Sequence, residues 1–131
     1  MIKSADEFVQ LRRSQNPEEY LRAATDGASL EIWLEIVATY PDMLIWVAHN
    51  KTVPTQVLEK LAESPSREVR IAVAMKNKLS PRLFEALSED DDDSVRERIA
   101  YNKNTPIEIL KKLTSDRCER ISNRALQRLQ S

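Results

Sequence analysis

The chain has 131 residues, 41% of them apolar and 31% charged, with a formal net charge of −1. That length suits one domain with a real core, the composition argues against global disorder, and the balance of charge supplies no general pull toward nucleic acid or an anionic membrane. A single glycine and a single cysteine argue against Gly-rich phosphate loops and tight hairpins, which need φ > 0 or close backbone approach, and rule out an intrachain disulfide.

At the N-terminus, residues 1–7 contain no apolar stretch of signal-peptide length. No later run approaches the ~20 apolar residues of a membrane span. A cytoplasmic location is therefore expected by default. Residues 4–14 read as an amphipathic helix opened by Ser4, with Glu7 three residues on. The stretch 17–24 resembles 41–48 at a spacing of 24, and Ile32, Trp33, Ile36 and Val37 match Val57, Leu58, Leu61 and Ala62 at a spacing of 25.

From residue 41 onward the chain matches itself at a spacing of 26. Met43, Val69, Val95 and Ile121 form one column; Val47, Val73, Ile99 and Ala125 form a second; Ala48, Ala74, Ala100 and Leu126 form a third. Three more follow in Val57/Leu83/Ile109, Leu58/Phe84/Leu110 and Leu61/Leu87/Leu113. Within a unit, Val69 and Val73 are four apart, and Leu83, Phe84 and Leu87 follow an i, i+1, i+4 pattern. Both place one apolar stripe on a helix. Ser80-Pro81 and Thr105-Pro106 put a capping side chain before a proline, and Asp116 with Glu119 has capping-box spacing. Each unit is expected to be a short helix, a turn of about five residues and a second short helix.

The expected fold is all-α: a right-handed α-α superhelical solenoid of short helix pairs, with about four repeats of about 26 residues. The expected organisation is one helical-repeat domain over 1–131, with an N-terminal helix and degenerate repeat in 1–40, regular repeats in 41–116 and a C-terminal cap in 117–131.

The units Ile99-Ala100-Tyr101-Asn102-Lys103-Asn104-Thr105-Pro106 and Val47-Ala48-His49-Asn50-Lys51-Thr52-Val53-Pro54, with the Val-Arg pairs at 69–70 and 95–96, resemble the leucine-rich repeat variant, a member of the HEAT-like helical repeats. The resemblance covers about residues 41–126 well and 17–40 loosely. It implies a superhelix of paired short helices, one of them 3₁₀-like, and says almost nothing of function. Relatives with an iron–sulfur cluster hold it through several cysteines, and Cys118 alone cannot do so. No cofactor is expected. In type and size the chain also resembles some bacterial immunity proteins.

Groups that carry chemistry are sparse. His49 and Cys118 are the only residues of their kinds and fall in units separated by two others, so no nucleophile–base pair and no zinc ligand cluster is expected. Glu31 and Glu35 read as a solvated helix face. The run Glu89-Asp90-Asp91-Asp92-Asp93 lacks the spaced ligands and glycine of a calcium loop and reads as an acidic capping turn. Arg70 and Arg96 recur at one position, taken by Leu44 in the earlier unit. They are expected to bury their stems and to pair their heads with a carboxylate or with helix-end carbonyls.

One constellation suits partner binding. Position 46 and its equivalents read Trp46, Ala72, Arg98 and Arg124; three residues on come His49, Met75 and Tyr101. Trp, Tyr and Arg are enriched in binding hot spots, so Trp46, His49, Met75, Arg98, Tyr101 and Arg124 are the candidate partner-binding residues. The competing expectation is that Trp46 and Met75 pack against neighbouring elements such as the N-terminal helix. Residues 1–40 carry four basic and seven acidic side chains, and residues 93–131 carry nine basic and five acidic. The leading expectation is a non-enzymatic protein–protein interaction module with no membrane partner. The alternatives are an immunity-type inhibitor of a cognate toxin and a HEAT-like nucleic-acid-binding protein using the C-terminal arginines Arg117, Arg120, Arg124 and Arg128.

Overall fold

Short helices need their ends closed, and the closures are visible from the first residues. The structure, a computed structural model, describes residues 1–130. Among them are ten α-helices of six to twelve residues and one 3₁₀ turn, with no strand. None of these helices is long and apolar enough to cross a membrane. The chain groups into two compact units, 1–61 and from Ala62 onward.

In the first unit, Ser4 Oγ accepts from the Glu7 N–H at 3.0 Å and the Glu7 carboxylate accepts from the Lys3 N–H at 2.9 Å. This two-way closure starts α1 (Ala5–Arg13). Asn16 caps α2 (Pro17–Thr25), with proline at its first position, and Ser29 caps α3 (Leu30–Thr39). A 3₁₀ turn, Pro41–Met43, leads into α4 (Leu44–His49), and α5 (Thr55–Leu61) completes the unit. Helix α1 packs on α2 and α3, and α4 on α2, α3 and α5. Phe8 and Trp33 meet edge-to-face at 5.5 Å in a core shared with Ile2, Ile36, Val47 and Val57.

The second unit contains α6 (Arg67–Ala74), α7 (Pro81–Ser88), α8 (Asp93–Tyr101), α9 (Ile107–Leu113) and α10 (Glu119–Gln130). Helix α6 packs on α8 and α8 on α10; α7 packs on α9; α7 also meets α8, and α9 meets α10. Val69, Val73, Leu83, Phe84, Leu87, Val95, Ile99, Leu110, Leu113, Ile121 and Ala125 are buried. Leu126, in register with the buried Ala74 and Ala100, is exposed.

Two buried asparagines tie helix ends together. Asn50, just past α4, donates from Nδ2 to the Ala23 and Asp26 carbonyls at 2.8 and 2.9 Å, and its Oδ1 accepts from the Thr52 N–H. Asn102, just past α8, donates to the Ala74 and Lys76 carbonyls at 3.0 and 2.7 Å, and accepts from the Asn104 N–H. Each amide satisfies both itself and carbonyls at the end of another helix, α2 for Asn50 and α6 for Asn102. Arg128 of α10 does the same with the Ala100, Asn102 and Lys103 carbonyls. Among the described residues no φ is positive, Gly27 included, so no helix stop relies on left-handed backbone.

Arg70 and Arg96 have the expected neighbours. Arg70 donates to the Asp90 carboxylate at 2.9 Å and to the Ser64 carbonyl at 2.8 Å. Arg96 donates to the Asp116 carboxylate and to the Asp90 carbonyl, both at 2.8 Å, and to Asp93 at 2.8 Å. Donor, carboxylate and carbonyl each shift by 26 residues between the two sets. The acidic run is therefore more than a capping turn. Asp92 caps α8 through the Ser94 N–H, while Glu89, Asp90 and Asp93 pair with Lys112, Arg70 and Arg96.

Two expected caps take another form. Ser80 caps α7 through the Leu83 N–H, but the Thr105 hydroxyl donates to the Ile99 carbonyl at 2.6 Å and α9 starts without a side-chain cap. Asp116 forms no capping box with Glu119, because its oxygens are occupied by the Arg96 guanidinium and the Cys118 N–H.

The Arg96 and Asp116 side chains are only 5% and 7% exposed. Removing one partner of such a pair leaves an uncompensated buried charge. Arg96→Ala is expected to cost about 3 kcal/mol, lowering Tm by roughly 10 °C in a calorimetric scan. Burial alone raises the Asp116 pKa, but hydrogen bonds from Arg96 and the Cys118 N–H, with the Arg96 charge, outweigh it and hold the carboxyl below the ordinary carboxylate value. Protons therefore bind the unfolded chain more readily. The stabilisation is full above the unfolded value of about 3.9 and is lost as pH falls through the lower folded one. Urea midpoints measured down to pH 2 should fall more shallowly below about pH 4 for Asp116→Asn than for wild type.

Candidate functional site

A cleft lies in the first unit, and α1, α2 and α4 build it. It encloses about 480 Å3 and is lined by Arg12, Tyr20, Ala23, Ala24, Trp46 and His49. Helical spacing accounts for the convergence. Trp46 and His49 are three apart on α4, and their rings lie 5.9 Å apart. Tyr20, Ala23 and Ala24 follow the same i, i+3, i+4 spacing on α2. Val47 and Ala48, between Trp46 and His49, point into the core instead.

Arg12 reaches across from the last turn of α1. Its guanidinium carbon sits 3.5 Å from the Trp46 ring centroid and 6.0 Å from that of Tyr20. A planar cation on an indole face is a favourable contact, strengthened when partly shielded from water. Arg13, the next residue, instead turns to Asp42 at 2.9 Å. Trp46 is 36% and Tyr20 41% exposed, so each ring offers a large apolar surface. Among the described residues no acidic side chain lines the cleft.

Four of the six sequence-derived candidates lie in the second unit. Arg98 and Tyr101 line a shallow depression of about 230 Å3 with Glu97. The Arg124 guanidinium stands 4.4 Å from the Tyr101 ring centroid. Tyr101 is half exposed and Met75 a little more so, but Met75 is not part of that lining. Ala72, at the register of Trp46 and Arg98, is buried rather than surface-facing. Trp46 and His49 come together in the first unit, with Arg12 and Tyr20 added. Neither addition stood out in the sequence, because α1 and α2 lie outside the regular 26-residue register. The paired spacing of Tyr20 with Ala23 and Ala24 was the available signal.

Other chemistry-bearing groups are placed apart. Glu31 and Glu35 are both exposed; Glu35 lines a small cleft with Asp6 and Tyr40, without Glu31. There the Tyr40 hydroxyl donates to Asp6 at 2.6 Å, and that bond raises the Tyr40 pKa. Among the described residues no group of three or more His, Cys, Asp or Glu is placed to hold a metal ion. Several C-terminal arginines are engaged within the chain: Arg120 pairs with Glu97, Arg96 with Asp116, and Arg128 bonds three carbonyls.

The two tryptophans have opposite environments. Trp33 is fully buried, so Trp33→Ala is expected to cost about 4 kcal/mol. Trp46→Ala removes a partly exposed cation–aromatic contact and is expected to cost about 1 kcal/mol. Guanidinium-chloride unfolding of the two variants measures both, and equal losses would place Trp46 in the core. Compared with known proteins, the chain matches no family model, no curated protein and no solved structure.

Proposed function

We propose that this chain is a non-enzymatic protein–protein interaction module that binds its partner through the cleft of the first unit. The observation that carries this reading is the Arg12 guanidinium stacked on Trp46 at 3.5 Å, beside Tyr20, in a cleft with no acidic lining. Arg, Trp and Tyr are the residues that dominate binding energy when they converge in a pocket. Their solvent-facing surface here is concave rather than scattered. Met75, Arg98, Tyr101 and Arg124 make a second candidate surface in the other unit.

The finer description of the fold belongs to the same proposal. A right-handed solenoid of HEAT-like helix pairs, similar to the leucine-rich repeat variant, is supported by the junctions of Arg70 and Arg96, whose partners recur 26 residues apart. An immunity-type inhibitor is one form such a module takes. Nucleic-acid binding is the weaker alternative, because Arg120 and Arg128 already have partners within the chain and phosphate recognition needs accessible cations.

The test is affinity capture from a lysate of the source organism, comparing wild type with an Arg12→Ala, Trp46→Ala double variant checked for folding by circular dichroism. The expected result is a protein retained by wild type and lost by the variant. A protein retained equally by both removes the first-unit cleft from the proposal. A captured nucleic acid whose retention falls steeply with salt favours the alternative.

A further inference from the structure

Arg12 differs from the arginines around it. Arg13 pairs with Asp42, and Arg22 with Asp26. Arg70 and Arg96 each hold a carboxylate and a carbonyl. The contacts of Arg12 are instead the two aromatic rings, its guanidinium carbon lying over that of Trp46 at 3.5 Å and that of Tyr20 at 6.0 Å. A guanidinium has five N–H donors directed outward in that plane. A contact through the ring rather than through a carboxylate leaves N–H donors for a ligand, and the ring limits where the guanidinium can sit. A planar fork held in this way matches the two oxygens of a carboxylate.

The rest of the cleft is mostly apolar, its other polar groups being the His49 imidazole and the Tyr20 hydroxyl. The small side chains of Ala23 and Ala24 leave its floor open, and Trp46 and Tyr20 supply aromatic walls. At about 480 Å3 it suits a short segment rather than a flat face, since a whole protein–protein interface buries about 800 Å2 on each side. The ligand must therefore place an anion and an apolar group next to each other.

The geometry points to an acidic segment of a partner protein, in which an aspartate or glutamate side chain next to an apolar residue docks in this cleft. The carboxylate takes the outward donors of Arg12, and the apolar neighbour lies on Trp46 and Tyr20. Charge complementarity selects this occupant, because the cleft brings a cation and no carboxylate of its own. The inference rests on the reading of the chain as a protein-binding module and names what that module recognises.

The probes are short peptides acetylated and amidated at their ends, so that the only anion is the side chain. One contains Leu-Asp and its control the isosteric, uncharged Leu-Asn. Titration into the full-length protein is followed by NMR at the Arg12 Nε–H and the Trp46 indole N–H. The Leu-Asp peptide is expected to shift both saturably and to bind at least about tenfold more tightly than the Leu-Asn peptide, in line with a charge-assisted bond. Arg12→Lys keeps the charge but not the fork, and is expected to weaken binding about tenfold with the rest of the amide spectrum unchanged.

Equal binding of the two peptides overturns the inference, as does no shift up to about 5 mM peptide. Binding of a Leu-Asn peptide only when its C-terminus is left free also overturns it, assigning the cleft to a chain terminus. A stronger response to single-stranded oligonucleotide overturns it in favour of nucleic acid. If the peptides fail while lysate capture still depends on Arg12 and Trp46, the module survives and only the acidic segment falls. If both fail, the module reading falls with it.

Discussion

Helices of six to twelve residues cannot satisfy most of their own terminal groups, and everything else in this chain follows from that shortage. A helix of eight residues has four carbonyls at its end without an intrahelical acceptor role, which is half of its complement. With no left-handed glycine stops, side chains from elsewhere must supply the donors. Asn50, Asn102 and Arg128 do so for the ends of α2, α6 and α8. Arg70 and Arg96 do so for the connections before α6 and α8. These polar contacts join particular helix ends, which the non-directional packing of the apolar core does not single out.

That framework also explains where the cleft comes from. Asn50 ties the end of α4 to the end of α2, which brings one face of each helix side by side. The residues on those faces are Trp46 and His49 on one and Tyr20, Ala23 and Ala24 on the other. The alanines are too small to fill the space between the aromatic rings, and Arg12 closes it from α1. A buried amide thus positions a surface site without contacting it, and the site is built on helices rather than on loops.

The amount legible from the sequence varied with the range of the interaction. Apolar columns and local caps such as Ser4 and Ser80 depend on residues a few positions apart, and the pattern of residue types is enough to read them. The double duty of Arg96 was legible too, because its twin at Arg70 marked the position. Thr105 and Asp116 were misread as local caps because each has a stronger partner that local spacing does not reveal: the Ile99 carbonyl for one, Arg96 for the other. Asn50 and Asn102 stood in the two quoted units without their bridging role being apparent. Arg12 was not legible at all, since nothing in its own helix signals a tryptophan 34 residues away.

Asp90 takes part in two junctions at once. Its carboxylate holds Arg70 and its backbone carbonyl holds Arg96. Shifting this one residue disturbs both arginines, so neither junction can open alone. Linked contacts of this kind couple the openings of neighbouring short helices, so amides near α6 and α8 are expected to exchange with solvent together. A node shared between neighbours would in this way make the opening of the second unit cooperative, with Asp90 at its centre.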